Sequence, residues 1–282
     1  MKHMWIRKSL LLLGTILATQ AGAQFYYQDV LQVAKTSAQF ALLKQHNVRQ
    51  ITASSFDADG SPSANFVLYQ QVNATQQTLT TTSKSDYTNS SVLTSYYDAS
   101  NRLIKTVDES GTLRSETQYQ YNEKGQLLLM SILTNDSLQQ FSVTETHLYS
   151  YDSKGMPTTM LRIKNNSDTT KVIFIADETT GKPGEEQWWK GNRKIETWFY
   201  YYNEQQQLTD IARPNKKAGR ILPDLIFEYD AAGRISQQTS VQAGSNMYRI
   251  WRYVYDARGL KLKEGVFNKY KEPEGRIEYS YQ

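Results

Sequence analysis

The chain of 282 residues contains no cysteine. That removes disulfides, thiolate metal sites, a cysteine nucleophile and a lipidated N-terminal cysteine at once. Histidine is nearly as scarce, and beyond residue 23 only His46 and His147 remain. Two isolated histidines give neither a zinc site nor a nucleophile–base pair. His147 alternates with Tyr149 and Tyr151, the spacing of a histidine on a sheet face. No G-x-S-x-G, S-x-x-K or H-E-x-x-H motif occurs, and no glycine-rich phosphate loop. Neighbouring acids such as Glu185 and Glu186 are expected by chance among 28 acidic residues. The chain therefore reads as a non-enzyme without cofactor or metal, a glycan hydrolase with two carboxylates being the residual catalytic alternative.

Long apolar runs are missing as well. The longest, Leu10 to Ala18, is too short for a membrane span, which takes about 20 residues. Preceded by Lys2, Arg7 and Lys8 and followed by Ala21-Gly22-Ala23, it reads as a secretory signal over residues 1–23. An uncleaved N-terminal anchor is the alternative. The expected location is outside the inner membrane, either periplasmic or at the cell surface. The whole chain has a formal charge of +4, but removing three leader cations leaves 29 basic and 28 acidic residues. A near-neutral exported chain has no electrostatic footprint for nucleic acid.

What the sequence does have is aromatic side chains, 20 Tyr, 9 Phe and 5 Trp. Such content is too rich for disorder and leans toward sheet. One helix is expected first, over about 29–46 within a segment 24–50. Its apolar residues recur at three and four, with Asp29 as N-cap and Asn47 closing its end. It is expected to cap one end of the domain that follows, residues 51–282.

That domain is a repeat. Tyr97-Asp98, Tyr121-Asn122, Tyr151-Asp152, Tyr202-Asn203, Tyr229-Asp230 and Tyr255-Asp256 each open a turn. Four residues after the Tyr most copies carry Gly, followed by Arg-Leu or a similar pair. Phe56-Asp57-Ala58-Asp59-Gly60 is an early copy. The Tyr anchors are spaced by 24, 30, 51, 27 and 26 residues. The gap of 51 hides a worn unit near residues 176–181. Before each anchor, residues alternate, as in Trp198, Tyr200 and Tyr202 or Trp251, Tyr253 and Tyr255, which is the period of a strand. Asp or Asn starts a turn through its own backbone and Gly supplies positive φ. Each repeat of about 26 residues is thus a β-hairpin. The sum is an all-β, elongated antiparallel meander, twisted or curled. Its last strand, residues 276–282, is expected to be a free edge able to pair with another chain.

The pattern Tyr-Asp-x-x-Gly-Arg-Leu/Ile, best seen at Tyr229 to Ile235, resembles the YD repeat, also called the RHS repeat. That family joins hairpins into long twisted or spiral sheets and, in large toxins, into hollow shells. The resemblance covers about residues 56–282. It implies an architecture and an envelope setting, not toxin activity, since a long RHS core and a toxin tip are missing.

Three groups of residues invite a ligand. Asp57-x-Asp59-Gly60 resembles the start of a calcium loop, but Leu68 stands where its twelfth-position acid belongs, so the turn reading takes precedence. Trp188, Trp189, Trp198, Tyr200, Tyr201, Trp251 and Tyr253 could form a strip for sugar rings or apolar chains, or serve only as cross-strand ladders. Arg213, Lys216, Lys217 and Arg220 could contact an acidic polymer or headgroup, or simply solvate a loop. The expected function is binding of an envelope glycan or protein by a repeat-sheet surface. The alternative is a carrier of lipid or another apolar ligand in a curled aromatic sheet.

Overall fold

The computed structural model describes residues 25–85, 88–138, 141–242 and 247–282. The leader expected over residues 1–23 lies outside them.

The turns set the architecture. At Asp57, Asp98, Asn122, Asp152, Asn203, Asp230, Asp256 and Asn268 the backbone repeats one pattern: this residue's N–H donates to the carbonyl four residues on, and the N–H three residues on donates back to its carbonyl. In all but the first copy its side-chain oxygen also accepts the N–H groups two or four residues on, as Asp230 does from Ala232 and Arg234. The third residue after it always has positive φ, whether Gly233 (φ 77), Asn101 (φ 62), Gln206 (φ 59) or Lys271 (φ 64). A side chain there is strained by about 1 kcal/mol, which is why Gly is preferred. The worn unit expected near residues 176–181 is a longer variant, with Gly181 at φ 68 donating to Asp177.

Between the turns run eighteen strands: β1 (Gln50–Asp57), β2 (Val67–Asn73), β3 (Thr78–Ser85), β4 (Thr88–Tyr97), β5 (Leu103–Ser110), β6 (Leu113–Tyr121), β7 (Leu127–Asp136), β8 (Ser142–Tyr151) and β9 (Pro157–Lys164), then β10 (Asp168–Ala176), β11 (Pro183–Lys190), β12 (Arg193–Tyr202), β13 (Leu208–Asn215), β14 (Arg220–Tyr229), β15 (Ile235–Val241), β16 (Tyr248–Tyr255), β17 (Lys261–Phe267) and β18 (Pro273–Tyr281). Each pairs antiparallel with the next. The ring is closed by β1, which pairs with β2 on one side and with β18 on the other, Ile51 opposite Tyr281 and Asp57 opposite Gly275. The meander is therefore a barrel. The free edge expected at residues 276–282 does not exist, because β18 has a partner on both sides.

The Tyr of the repeat has a second task. Tyr121, Tyr151, Tyr202, Tyr229, Tyr255 and Tyr281 each donate their hydroxyl to a carbonyl at the start of a strand in the preceding repeat: Leu103, Leu127, Pro183, Leu208, Ile235 and Lys261. A basic side chain covers the ring, as Arg234 covers Tyr255 at 4.7 Å and Arg102 covers Tyr121 at 5.0 Å. These hydroxyls stitch one hairpin to the next around one mouth of the barrel, here called the tyrosine mouth.

Paired residues share a face, so the registers divide the wall into inside and outside. Outside, charge sits on many strands: Lys105 on β5, Glu116 on β6, Lys171 on β10, Glu185 on β11, Arg252 on β16 and Lys263 opposite Glu278 on β17 and β18. Exposed apolar side chains share that face, among them Leu133, Leu148, Leu161, Ile175, Tyr201 and Val254. Inside are the aromatic and aliphatic side chains, among them Met160, Val172, Trp198 and Ile277, all 1% exposed or less.

Helix α1 (Tyr27–Gln45) completes the core. It lies across the tyrosine mouth within the ring. Its start docks on β8, β11 and β12. Phe40 stacks on Tyr97 of β4 at 3.7 Å, Ser37 accepts the N–H of Leu103, and Leu42 meets the turn at Gly259. The expected cap is thus a stopper set inside one end. Asp29 is not its N-cap: the helix starts two residues earlier without a side-chain cap. Asn47 (φ 53) does close it, with Asn47 N–H donating to Lys44 and Val48 N–H to Leu43.

Candidate ligand chamber

The stopper is held by buried charge. Glu186 on β11, fully buried, accepts the N–H groups of Tyr26 (2.7 Å) and Tyr27 (2.9 Å), the indole N–H of Trp188 (2.5 Å) and the hydroxyl of Tyr200 (2.5 Å). It uses the free N–H groups at a helix start and satisfies them together. Beside it, His147 on β8 bonds Asp29 of the helix at 2.6 Å through Nδ1 and Glu145 at 2.9 Å through Nε2. Both ring nitrogens meet carboxylates, so both must donate and the ring is a cation. Burial works to lower its pKa, but the bonds to Asp29 and Glu145 raise it to about 9. Burial likewise opposes the charge on Glu145, and His147 and Arg162 outweigh it, taking the carboxyl down to about 2. Tyr149 donates to the same Asp29 oxygen at 2.7 Å. This network ties the start of the helix to β8.

The helix buries only one side. Asp29, Val33, Phe40 and Leu43 face β3 to β12, whose inward residues are buried. On the opposite wall the inward residues Glu264, Val266 and Ile277 are fully buried, while Leu225, Phe227, Gln238, Ser240, Trp251, Tyr253 and Tyr279 are half-buried, Phe227 packing towards Phe25 and Trp198, and Trp251 towards Val266 and Ile277. Physics requires such a gap. Eighteen strands enclose a lumen wide enough for an aqueous channel, and one helix about 10–12 Å across does not fill it.

Lys35 reports on that space. Its side chain is exposed to solvent, yet its pKa is lowered by burial and by Lys261, with Glu264 opposing. Lys35 stands near Lys261 and Glu264. Gln28, Gln32 and Gln39 share its helical stripe at steps of four and three. Neither Lys35 nor these amides hydrogen-bond another described residue. Facing the stripe, Lys261 bonds the buried Glu264 at 2.7 Å and lies 4.9 Å from the Tyr253 ring and 5.5 Å from that of Tyr279. Toward the far mouth the inner wall becomes polar, with Ser91 bonded to Asp108, Ser115 to Thr134 and Arg213 paired with Asp224 at 2.7 Å. We take the half-buried inner wall of β14, β16 and β18, with its aromatic rings beside Lys261 and Glu264, as the candidate chamber.

The aromatic residues singled out from sequence are divided among three places. Trp188, Trp198 and Tyr200 are core, packed on Phe25, Tyr26 and Tyr27. Trp251 and Tyr253 line the chamber. Trp189 and Tyr201 point outward, Tyr201 being 46% exposed. Of the basic group, Arg213 is turned inward over the Trp198 ring at 5.0 Å, while Lys216, Lys217 and Arg220 stand exposed around the β13–β14 turn at the far mouth. Asp57 and Asp59 are turn residues, bonded to Ser63 and Ser61. Among the described residues no group of three His, Asp or Glu is placed to hold a metal ion. Sequence reasoning missed Glu186, Glu264 and Lys35. The signal for the first two was a single acid on the aromatic face of an alternating strand.

These features define a class: a closed barrel of YD-type hairpins with its N-terminal helix as an internal stopper. Residues 97–135 match the model of the RHS Repeat family. No curated protein matches it. Among solved structures, a porin-like protein from Bacteroides uniformis is similar at 10% identity and a TM-score of 0.42, covering 83% of this chain and 98% of that one. A porin-like protein from Bacteroides vulgatus has 12% identity, a TM-score of 0.28 and the same coverages. The Tc holotoxin pore of Photorhabdus luminescens has 8% identity and a TM-score of 0.30, with 77% of this chain spanning 15% of that one. The barrel rests on the strand registers given above.

Proposed function

We propose that the protein is a non-enzymatic, exported envelope protein that binds a saccharide inside its barrel. The observation that carries this reading is the set of inward aromatic side chains Phe227, Trp251, Tyr253 and Tyr279, which are only half-buried. Aromatic faces stack on sugar rings, and amide side chains donate to and accept from hydroxyls. The leader expected over residues 1–23 supports export. The apolar part of the same wall, Leu225 and Phe227, favours the carrier of an apolar chain as second reading. The test is mass spectrometry of small molecules released from the purified protein, with calorimetric titration of the wild type and Trp251→Ala against oligosaccharides and fatty acids. Saccharide binding lost in Trp251→Ala supports the proposal. Binding of fatty acid alone would replace it with the second reading, and binding unaffected by Trp251→Ala would move the site elsewhere.

A further inference from the structure

The two mouths of the barrel differ in chemistry. Turn tips at the tyrosine mouth are polar, as at Glu123-Lys124, Ser153-Lys154 and Glu204-Gln205. At the far mouth large apolar side chains stand out instead: Leu113, Leu138, Phe141, Met247 and Tyr270 are 44–71% exposed. Single exposed apolar residues are ordinary on a protein surface, but a set gathered on one rim marks an interaction surface.

The same rim carries charge of one sign over the ends of β9 to β14. Three neighbouring hairpin ends, residues 163–169, 189–195 and 214–221, hold seven basic residues and one acid. The acid, Asp168, is taken by Lys190 at 2.9 Å. Arg193, Lys194, Lys216, Lys217 and Arg220 are exposed, and no carboxylate of the described residues pairs with them. The 29 basic and 28 acidic residues beyond the leader become 22 and 27 once these ends are set aside, so the positive excess is local. Ile195 and Ile221 sit among these cations, 38% and 43% exposed. Trp189 joins them on the outer wall, opposite Lys171 on one side and Lys194 on the other.

Basic, aliphatic and indole side chains exposed together match the boundary of an anionic bilayer. There ammonium and guanidinium groups meet phosphates, while apolar tips enter the edge of the acyl region. An acidic polysaccharide would answer the charge but leave Ile195, Ile221 and the apolar rim in water. We propose that the far mouth docks end-on against an anionic lipid surface, with the tyrosine mouth and its stopper turned away. This surface is separate from the chamber, and the proposal stands whether or not the barrel takes a saccharide.

The experiment is co-sedimentation of the purified protein with vesicles of equimolar phosphatidylcholine and phosphatidylglycerol, and with vesicles of phosphatidylcholine alone. Binding is expected on the anionic vesicles and should be about tenfold weaker, or less, on the neutral ones. Lys216→Gln combined with Lys217→Gln should weaken it about ten- to thirtyfold. Ile221→Ser should weaken it about threefold. Lys124→Gln combined with Lys154→Gln removes as much charge from the tyrosine mouth and should leave binding unchanged. Equal losses in the two double variants would overturn the proposal, since binding would then follow net charge alone. Wild-type binding by Ile221→Ser would overturn the apolar contact and with it the lipid surface. No binding to anionic vesicles, with polygalacturonate bound through Lys216 and Lys217, would give the rim to an acidic polymer instead.

Discussion

Raising the pH should loosen the stopper through one residue. His147 is 1% exposed, and its pKa is about 9 against 6.5 for an ordinary histidine. A raised pKa means that the folded state holds this proton more tightly than the unfolded chain. The stabilisation is fully present below pH 6.5 and is lost as the pH rises through about 9. Each unit of pKa difference corresponds to about 1.4 kcal/mol, so the loss is about 3 kcal/mol. That is a large share of a typical total of about 5–15 kcal/mol. Tyrosines with raised pKa act in the same direction above pH 10 and Lys35 acts in the opposite one, so the informative quantity is a difference. Guanidinium unfolding of the wild type and of His147→Gln should be followed at pH 6, 7.5, 9 and 9.5. At pH 6 the variant leaves Asp29 and Glu145 facing each other without a cation and should cost about 3–5 kcal/mol. At pH 9.5 the gap should shrink by about 2–3 kcal/mol. A gap independent of pH would refute a charged imidazole in the docking network.

Two further predictions test the repeat. Tyr229→Phe removes a hydroxyl that donates to Leu208 at 2.6 Å and should cost about 1 kcal/mol in unfolding free energy. Tyr97→Phe should cost nothing, since that buried hydroxyl has no partner; equal losses would mean the tyrosine stitches contribute no specific bond. Gln206→Gly, at φ 59, should raise the melting temperature by about 2–4 °C, and Gly233→Ala, at φ 77, should lower it by at least as much. Opposite shifts would show that turn geometry does not limit stability.

The hairpins were legible in the sequence because a turn is a local event. Asp230, Gly233 and the alternating residues before Tyr229 state their conformation within ten positions. Asn268 escaped notice because Lys271 holds the place of Gly, and only the backbone reveals the shared geometry. The tyrosine was legible as a marker, while its bond to the preceding repeat was not, since that partner is a carbonyl without a sequence signature. Closure was invisible for a similar reason: β1 and β18 meet through backbone groups that any residue supplies. Asp29 is the instructive misreading. An acid before an apolar stripe suggests a cap, but here His147, 118 positions away, claims it. Likewise Tyr253 and Glu264 face each other only because β16 and β17 pair.

Closure also fixes an order of events. Ile51 and Tyr281 are neighbours about 230 residues apart in the chain, and joining ends across such a span costs about 5 kcal/mol of chain entropy before any ladder forms. The stopper is the first element to emerge and the seam is the last to be sewn. The helix docks on β4, β8 and β12, so its seat is complete only when those strands are paired. Until β18 pairs with it, β1 offers an unpaired rim to other growing chains. A chain cut short before β18 leaves β1 and β17 each unpaired on one side and should clump rather than fold.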